Sequence, residues 1–102
     1  MADRIVVFWR DIPAQVIVKQ GRRTAKRELP ARFSEAIDRA AMRAKLTGTD
    51  AYLEQWRRAA PVACGDDLEA EAQRAHDELD AAYPQERVRA LVNNGGNEPS
   101  PA

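Results

Sequence analysis

Two apolar runs open the chain, Ile5-Val6-Val7-Phe8-Trp9 and Val16-Ile17-Val18, with the polar insert Arg10-Asp11-Ile12-Pro13-Ala14-Gln15 between them. Branched and aromatic residues dominate both runs, so they read as strands, Arg4 to Trp9 and Gln15 to Lys19, joined by a proline-containing connection. A connection of hairpin length makes the two antiparallel neighbours. Gly21 ends or bulges the second strand. Residues 22–29 have weak periodicity and read as an exposed connection, with room for a short edge strand whose lysines and arginines discourage pairing with another molecule.

The pattern then changes to a helical period. After Pro30, placed as an early helix residue, Phe33, Ala36, Ile37, Ala40, Ala41 and Ala44 recur at three-and-four spacing, and Gly48 closes the helix. Thr49 or Asp50 can cap a second, shorter helix carrying Tyr52, Leu53 and Trp56. Pro61-Val62-Ala63-Cys64 suggests a third strand or an extended buried link. Asp66 with Glu69 offers a cap for a further helix whose stripe is Leu68, Ala72, Ala75, Leu79 and Ala82. Pro84 interrupts it, and a last short helix runs to Val92. From Asn93 the run Asn-Asn-Gly-Gly-Asn-Glu-Pro-Ser-Pro-Ala carries no apolar content to bury and reads as a disordered tail. These elements predict an α+β fold: one domain over residues 1–92 and a tail over 93–102, with a small sheet begun by the N-terminal antiparallel pair and three to four helices packed on one face.

With 102 residues the chain has room for one core without metal or disulfide support. Cys64 is the sole cysteine, so an internal disulfide is excluded and a reducing, cytoplasmic setting is the simplest expectation. The five-residue apolar run after Arg4 is too short for a signal segment or a membrane span. Net charge is zero, yet it is unevenly spread. Residues 1–60 carry thirteen Lys/Arg against seven Asp/Glu, and residues 61–102 carry three against nine, so the halves stand at +6 and −6. Folding either brings these halves together and neutralises them or leaves a basic face for an anionic partner.

Three segments carry a family resemblance: Trp9-Arg10-Asp11-Ile12-Pro13-Ala14-Gln15-Val16, Ala36-Ile37-Asp38-Arg39-Ala40-Ala41-Met42-Arg43-Ala44 and Thr49-Asp50-Ala51-Tyr52-Leu53-Glu54-Gln55-Trp56. Across residues 4 to 92 the chain resembles the bacterial virulence factor domain family, which occurs as small free-standing proteins and as the terminal domain of conserved virulence factor C. The resemblance implies no established activity or cofactor. Longer proteins of this kind join the domain to a NifU-like scaffold segment and helical repeats, which implies an interaction role. Free-standing relatives near genes of one-carbon methyl transfer imply, as an alternative, a small enzyme or cofactor-handling subunit using Arg10 and Asp11 in a cleft.

Read from the residues, two places could bind. Trp9, Arg10 and Asp11 could form a corner that takes a partner or an anion, with Pro13 stiffening the loop and the guanidinium offering its planar fork; the competing reading is an internal tie in a turn. Lys19, Arg22, Arg23, Lys26 and Arg27, joined by Arg32, form the densest basic cluster, suited to phosphates or to an acidic protein surface; the competing reading is a solvated edge, or a complement to the acidic C-terminal helix. No aromatic residue is interleaved with these charges, so a stacking platform for single strands is unsupported, and nucleic acid is the lesser expectation. One His76 and one Cys64 are too few for a metal site, and the glycines follow no phosphate-loop spacing. Trp9, Tyr52 and Trp56 read as core anchors, or as hot-spot residues if exposed together. The expectation is a non-enzymatic interaction module with a protein partner, no cofactor, no metal and no catalytic residue.

Overall fold

Branched and aromatic residues over the first twenty positions build the sheet, and the consecutive burial of Val16, Ile17 and Val18 shows that its second strand is covered on both faces. In the computed structural model, which describes residues 2–46, 48 and 50–98, β1 spans Ala2–Trp9 and β2 spans Ile12–Gln20. They pair antiparallel, Asp3 opposite Lys19 at one end and Trp9 opposite Ile12 at the other. β1 ends at Trp9 as expected, whereas β2 begins at Ile12 inside the polar insert, and only Arg10 and Asp11 are left as a turn. Val7 faces Gln15 while Phe8 faces Pro13, so Ala14 is the extra residue of a bulge. Proline has no amide hydrogen for a ladder, and a bulge is where a strand accommodates it. Pro13 is fully buried there instead of stiffening an exposed loop.

The weakly patterned basic stretch is a full edge strand, β3, Arg23–Glu28, pairing with β2 from Arg23 opposite Gln20 to Glu28 opposite Gln15. Its turn is Gly21-Arg22, with glycine at φ +60° in the first central position, as a tight hairpin demands. Two short strands, β4 Trp56–Arg58 and β5 Val62–Cys64, pair with opposite ends of β1 and complete a five-stranded sheet ordered β3-β2-β1-β4, with β5 also on β1. Trp56 thus belongs to a strand and not to the preceding helix, and Val62 and Ala63 are exposed where an apolar link suggested burial.

Helix α1, Ala31–Arg43, follows the alanine stripe and buries Phe33, Ala36, Ile37, Ala40 and Ala41. With Val88 and Leu91 of α4, Gln85–Asn93, these gather around Trp9, Ile12 and Leu29. Complete burial of a side chain such as Phe33 stabilises by roughly 1.5–3 kcal/mol. Helix α3, Leu68–Ala82, lays Leu68, Ala72 and Ala75 on a second cluster with Ala2, Val16, Val18 and Ala25. Its cap is Asp67, whose carboxylate accepts from the amide of Ala70, one residue beyond the expected Asp66. Helix α2, Asp50–Glu54, is a single short turn with no buried residue; Thr49, the other expected cap, lies outside the described residues. The fold is α+β, an antiparallel sheet begun by β1 and β2 with four helices among the described residues. No helix among them is long and apolar enough to cross a membrane.

Helix ends differ most from expectation. α1 stops well before Gly48: the Lys45 amide donates to the Met42 carbonyl and that of Leu46 to Ala41, a Schellman closure with Lys45 at φ +59° in the position glycine usually takes. α4 closes in the same way with Gly95 at φ +69°, the Gly95 amide on Val92 and the Gly96 amide on Leu91. The glycines assigned to a disordered tail are therefore a helix cap. Asn94 to Glu98 continue in hydrogen bonds against the body of the domain, and residues 99–102 lie outside the described residues.

Candidate functional site

The candidate residues of the sequence fall into two places with opposite character. At the β1–β2 turn, Arg10 sits at φ +53°, a conformation that costs a non-glycine residue roughly 1–2 kcal/mol. Its surroundings hold it there. The Arg10 amide donates to the Gln55 carbonyl at 3.0 Å, its Nε to Gln55 Oε1 at 3.1 Å and one terminal nitrogen to the Gly95 carbonyl at 2.8 Å. The guanidinium carbon stands 5.3 Å from the centre of the Trp9 ring. Asp11 does not pair with Arg10. Its carboxylate takes Arg57 at 3.1 Å on one oxygen and the Glu98 amide at 2.7 Å on the other, while its own amide donates to the Gly96 carbonyl at 2.8 Å. Trp9 is fully buried and donates its indole N–H to the Tyr52 carbonyl at 3.0 Å. A side chain on Gly96 would place Cβ 2.8 Å from Trp9 Cζ3, which is why the cap must be glycine. The corner knots together the first turn, β4 and the end of α4.

The basic cluster is split by the sheet. Arg27 shares the α3 face, ion-paired with Glu69 and donating to Gln73 Oε1 at 3.2 Å. Arg4 meets Glu78 at 3.5 Å and Arg32 meets Asp80 at 2.6 Å, so α3 neutralises a row of cations beneath it. Lys19, Arg22, Arg23 and Lys26 are exposed, and none of them has an acidic partner among the described residues. Arg22 and Arg23 lie in and beside the β2–β3 turn, Lys19 stands one rung in, and Lys26 lies further along β3 opposite Ile17. Both outcomes raised by the charge imbalance are thus realised, neutralisation on one side and an uncompensated basic tip at the end of the hairpin.

Cys64 is half-buried in β5 opposite Ala2. Burial first, and the Glu71 carboxylate second, push its thiol above the usual range, which makes it a poor nucleophile. His76 Nδ1 lies 2.9 Å from Asp77 Oδ1 and, with Gln73, holds the Asp77 carboxyl below its ordinary value. No group of three or more His, Cys, Asp or Glu side chains stands ready for a metal among the described residues. Tyr52 and Trp56 are half-buried and packed against the Trp9 cluster, closer to core anchors than to an exposed pair.

Sequence reasoning missed Gln55, Arg57, Gly95, Gly96 and Glu98, all partners of the corner. A glycine just past the end of an apolar helical stripe is a cap signal, and Gly95 stands three residues after Val92, the last apolar position. Nothing local marked Arg57, whose role depends on β4 reaching β1.

The fold and this surface define a small α+β domain with a locked corner and a free basic hairpin. The chain belongs to the virulence factor family: the family model described as Virulence factor matches residues 7–92. No curated protein and no solved structure matches it.

Proposed function

We propose that this domain is a non-enzymatic interaction module that docks an acidic protein surface through the β2–β3 hairpin, with Lys19, Arg22, Arg23 and Lys26 as its contacts. The observation that carries this reading is the contrast between Arg27, Arg4 and Arg32, matched by Glu69, Glu78 and Asp80 of α3, and Lys19, Arg22, Arg23 and Lys26 along the hairpin, none of which has an ion-pair partner among the described residues. Unmatched arginines on a rigid turn are the kind of group that steers and orients an anionic partner. In this reading Trp9, Arg10 and Asp11 hold the frame, because the Trp9 indole, Nε and one terminal nitrogen of Arg10, and the Asp11 carboxylate are engaged within the chain.

The test is capture from native extract with the tagged protein, treated with nuclease, at low and moderate salt. A stoichiometric protein retained at moderate salt and lost from the Arg22→Glu, Arg23→Glu double variant, with unchanged thermal unfolding, supports the reading. Equal capture by that variant sinks it. Binding abolished by nuclease moves the hairpin to nucleic acid, where affinity falls steeply with salt.

A further inference from the structure

Beside the N-terminal end of α1, at the end of β3 remote from the β2–β3 turn, lies a second feature. A cleft of about 480 Å³ opens between the ends of β2 and β3, the start of α1 and β4, lined by Ala14, Gln15, Glu28, Leu29, Ser34 and Trp56. Gln15 and Glu28 are cross-strand partners, so both side chains stand on the same face of the sheet, and the Ala14 bulge sits beside them. Glu28 is the only charged residue of the lining. It forms no ion pair among the described residues, although Lys26 is the next same-face residue on its strand.

The aromatic residues supply an independent observation. Phe8, Trp9, Phe33 and Tyr83 each carry an arginine of this chain over the ring, Arg57, Arg10, Arg32 and Arg87, at 4.0–5.3 Å from the centroid. Trp56 carries none. It meets Tyr52 edge to face at 6.3 Å and otherwise lines the cleft next to the unpaired carboxylate. Neither its indole N–H nor the Gln15 amide has a hydrogen-bond partner among the described residues. An indole and a carboxylate at one opening attract the same chemical group, since the ring face and the anion both favour a positive charge. The amide oxygen of Gln15 adds an acceptor for its N–H groups.

We propose that this cleft binds an organic cation, a guanidinium or alkylammonium group, with its charge on Glu28 and its flat or alkyl surface against Trp56. The site is open to solvent, so the affinity expected for a single such group is on the order of 1 mM.

The experiment is an NMR titration of the ¹⁵N-labelled full chain with N-acetyl-arginine methylamide, following the two indole N–H resonances. The Trp56 signal should move and saturate, while that of Trp9, tied to the Tyr52 carbonyl, stays in place. N-acetyl-citrulline methylamide, the uncharged isostere, should leave both unmoved, and Glu28→Gln, a surface change that keeps the fold, should weaken binding about fivefold or more. Putrescine as a parallel probe distinguishes the sources: tighter binding than the arginine derivative assigns the cleft to a free amine, weaker binding to a side chain on a peptide, and both support the cation site. An equal response to citrulline, an unchanged affinity in Glu28→Gln, or no saturable shift by about 20 mM overturns it. Arg22→Glu, Arg23→Glu should titrate as wild type, so loss of hairpin docking and loss of cleft binding are separable results.

Discussion

The two hairpin turns of this sheet use one local device for opposite ends. Arg10-Asp11 joins β1 to β2 and Gly21-Arg22 joins β2 to β3, each turn having its first central residue at positive φ, +53° and +60°. Each presents an arginine at the end of a strand pair. The first is surrounded by Gln55, Arg57, Gly95, Gly96 and Glu98, which engage Nε and one terminal nitrogen of Arg10, its carbonyl, and both carboxylate oxygens of Asp11. Beside the second, Gln20 donates to Asp66 and Arg23 shares a shallow depression with Asp67 and Glu69, but Arg22 and Arg23 are exposed and neither forms an ion pair among the described residues. What separates a structural knot from a docking element here is therefore the supply of partners from distant parts of the chain, not the turn itself. The strained arginine is confined to the turn where the surroundings over-determine it, and the free turn carries glycine.

The contrast is open to direct attack. The largest effect is expected from Gly96→Ala. Its Cβ would collide with the buried Trp9 ring at a backbone φ of +95°, and a loss of about 3 kcal/mol in chemical denaturation is expected. A near-neutral result would show that the end of α4 is not held on the corner. Asp11→Ala removes the acceptor of both Arg57 and the Glu98 amide. With that carboxylate about one third exposed, a loss of about 1 kcal/mol is expected, with hairpin-dependent capture unchanged.

Lys45→Gly should move stability the other way, a gain of roughly 0.5–1 kcal/mol, because glycine takes the left-handed cap conformation without the Cβ penalty. At the second turn, Arg22→Ala with Arg23→Ala should change unfolding by less than about 0.5 kcal/mol while removing capture; a loss matching that of Asp11→Ala would erase the distinction between the turns. The smallest effect concerns pH. Because Asp77 is held below its ordinary value when folded, its contribution is present above the ordinary carboxylate range and disappears as pH falls through the folded value. His76→Ala should raise the Asp77 midpoint in an NMR titration towards that range, since the imidazole hydrogen bond is the first cause of the depression.

Much of the fold was legible because its strongest signals are local. The Val, Ile and Phe runs of β1 and β2, and the alanine stripe from Phe33 to Ala41, carry their periodicity within a few residues. The same holds for the caps near Asp67, missed by one position, and for Gly95, whose cap signal was present but read as linker composition. β3 and β4 were faint because their side chains are mostly polar, and their pairing depends on backbone ladders that composition does not report.

Sequence alone determined the α+β class, the antiparallel start, the α1 packing face and the separation of charge into basic and acidic halves, each a consequence of residue type and spacing along a short stretch. Only the tertiary structure decided which charges survive. Whether an arginine meets Glu69, the Gly95 carbonyl or solvent is set by segments dozens of residues away, and electrostatic pairing is won or lost within a few ångströms that no linear pattern encodes.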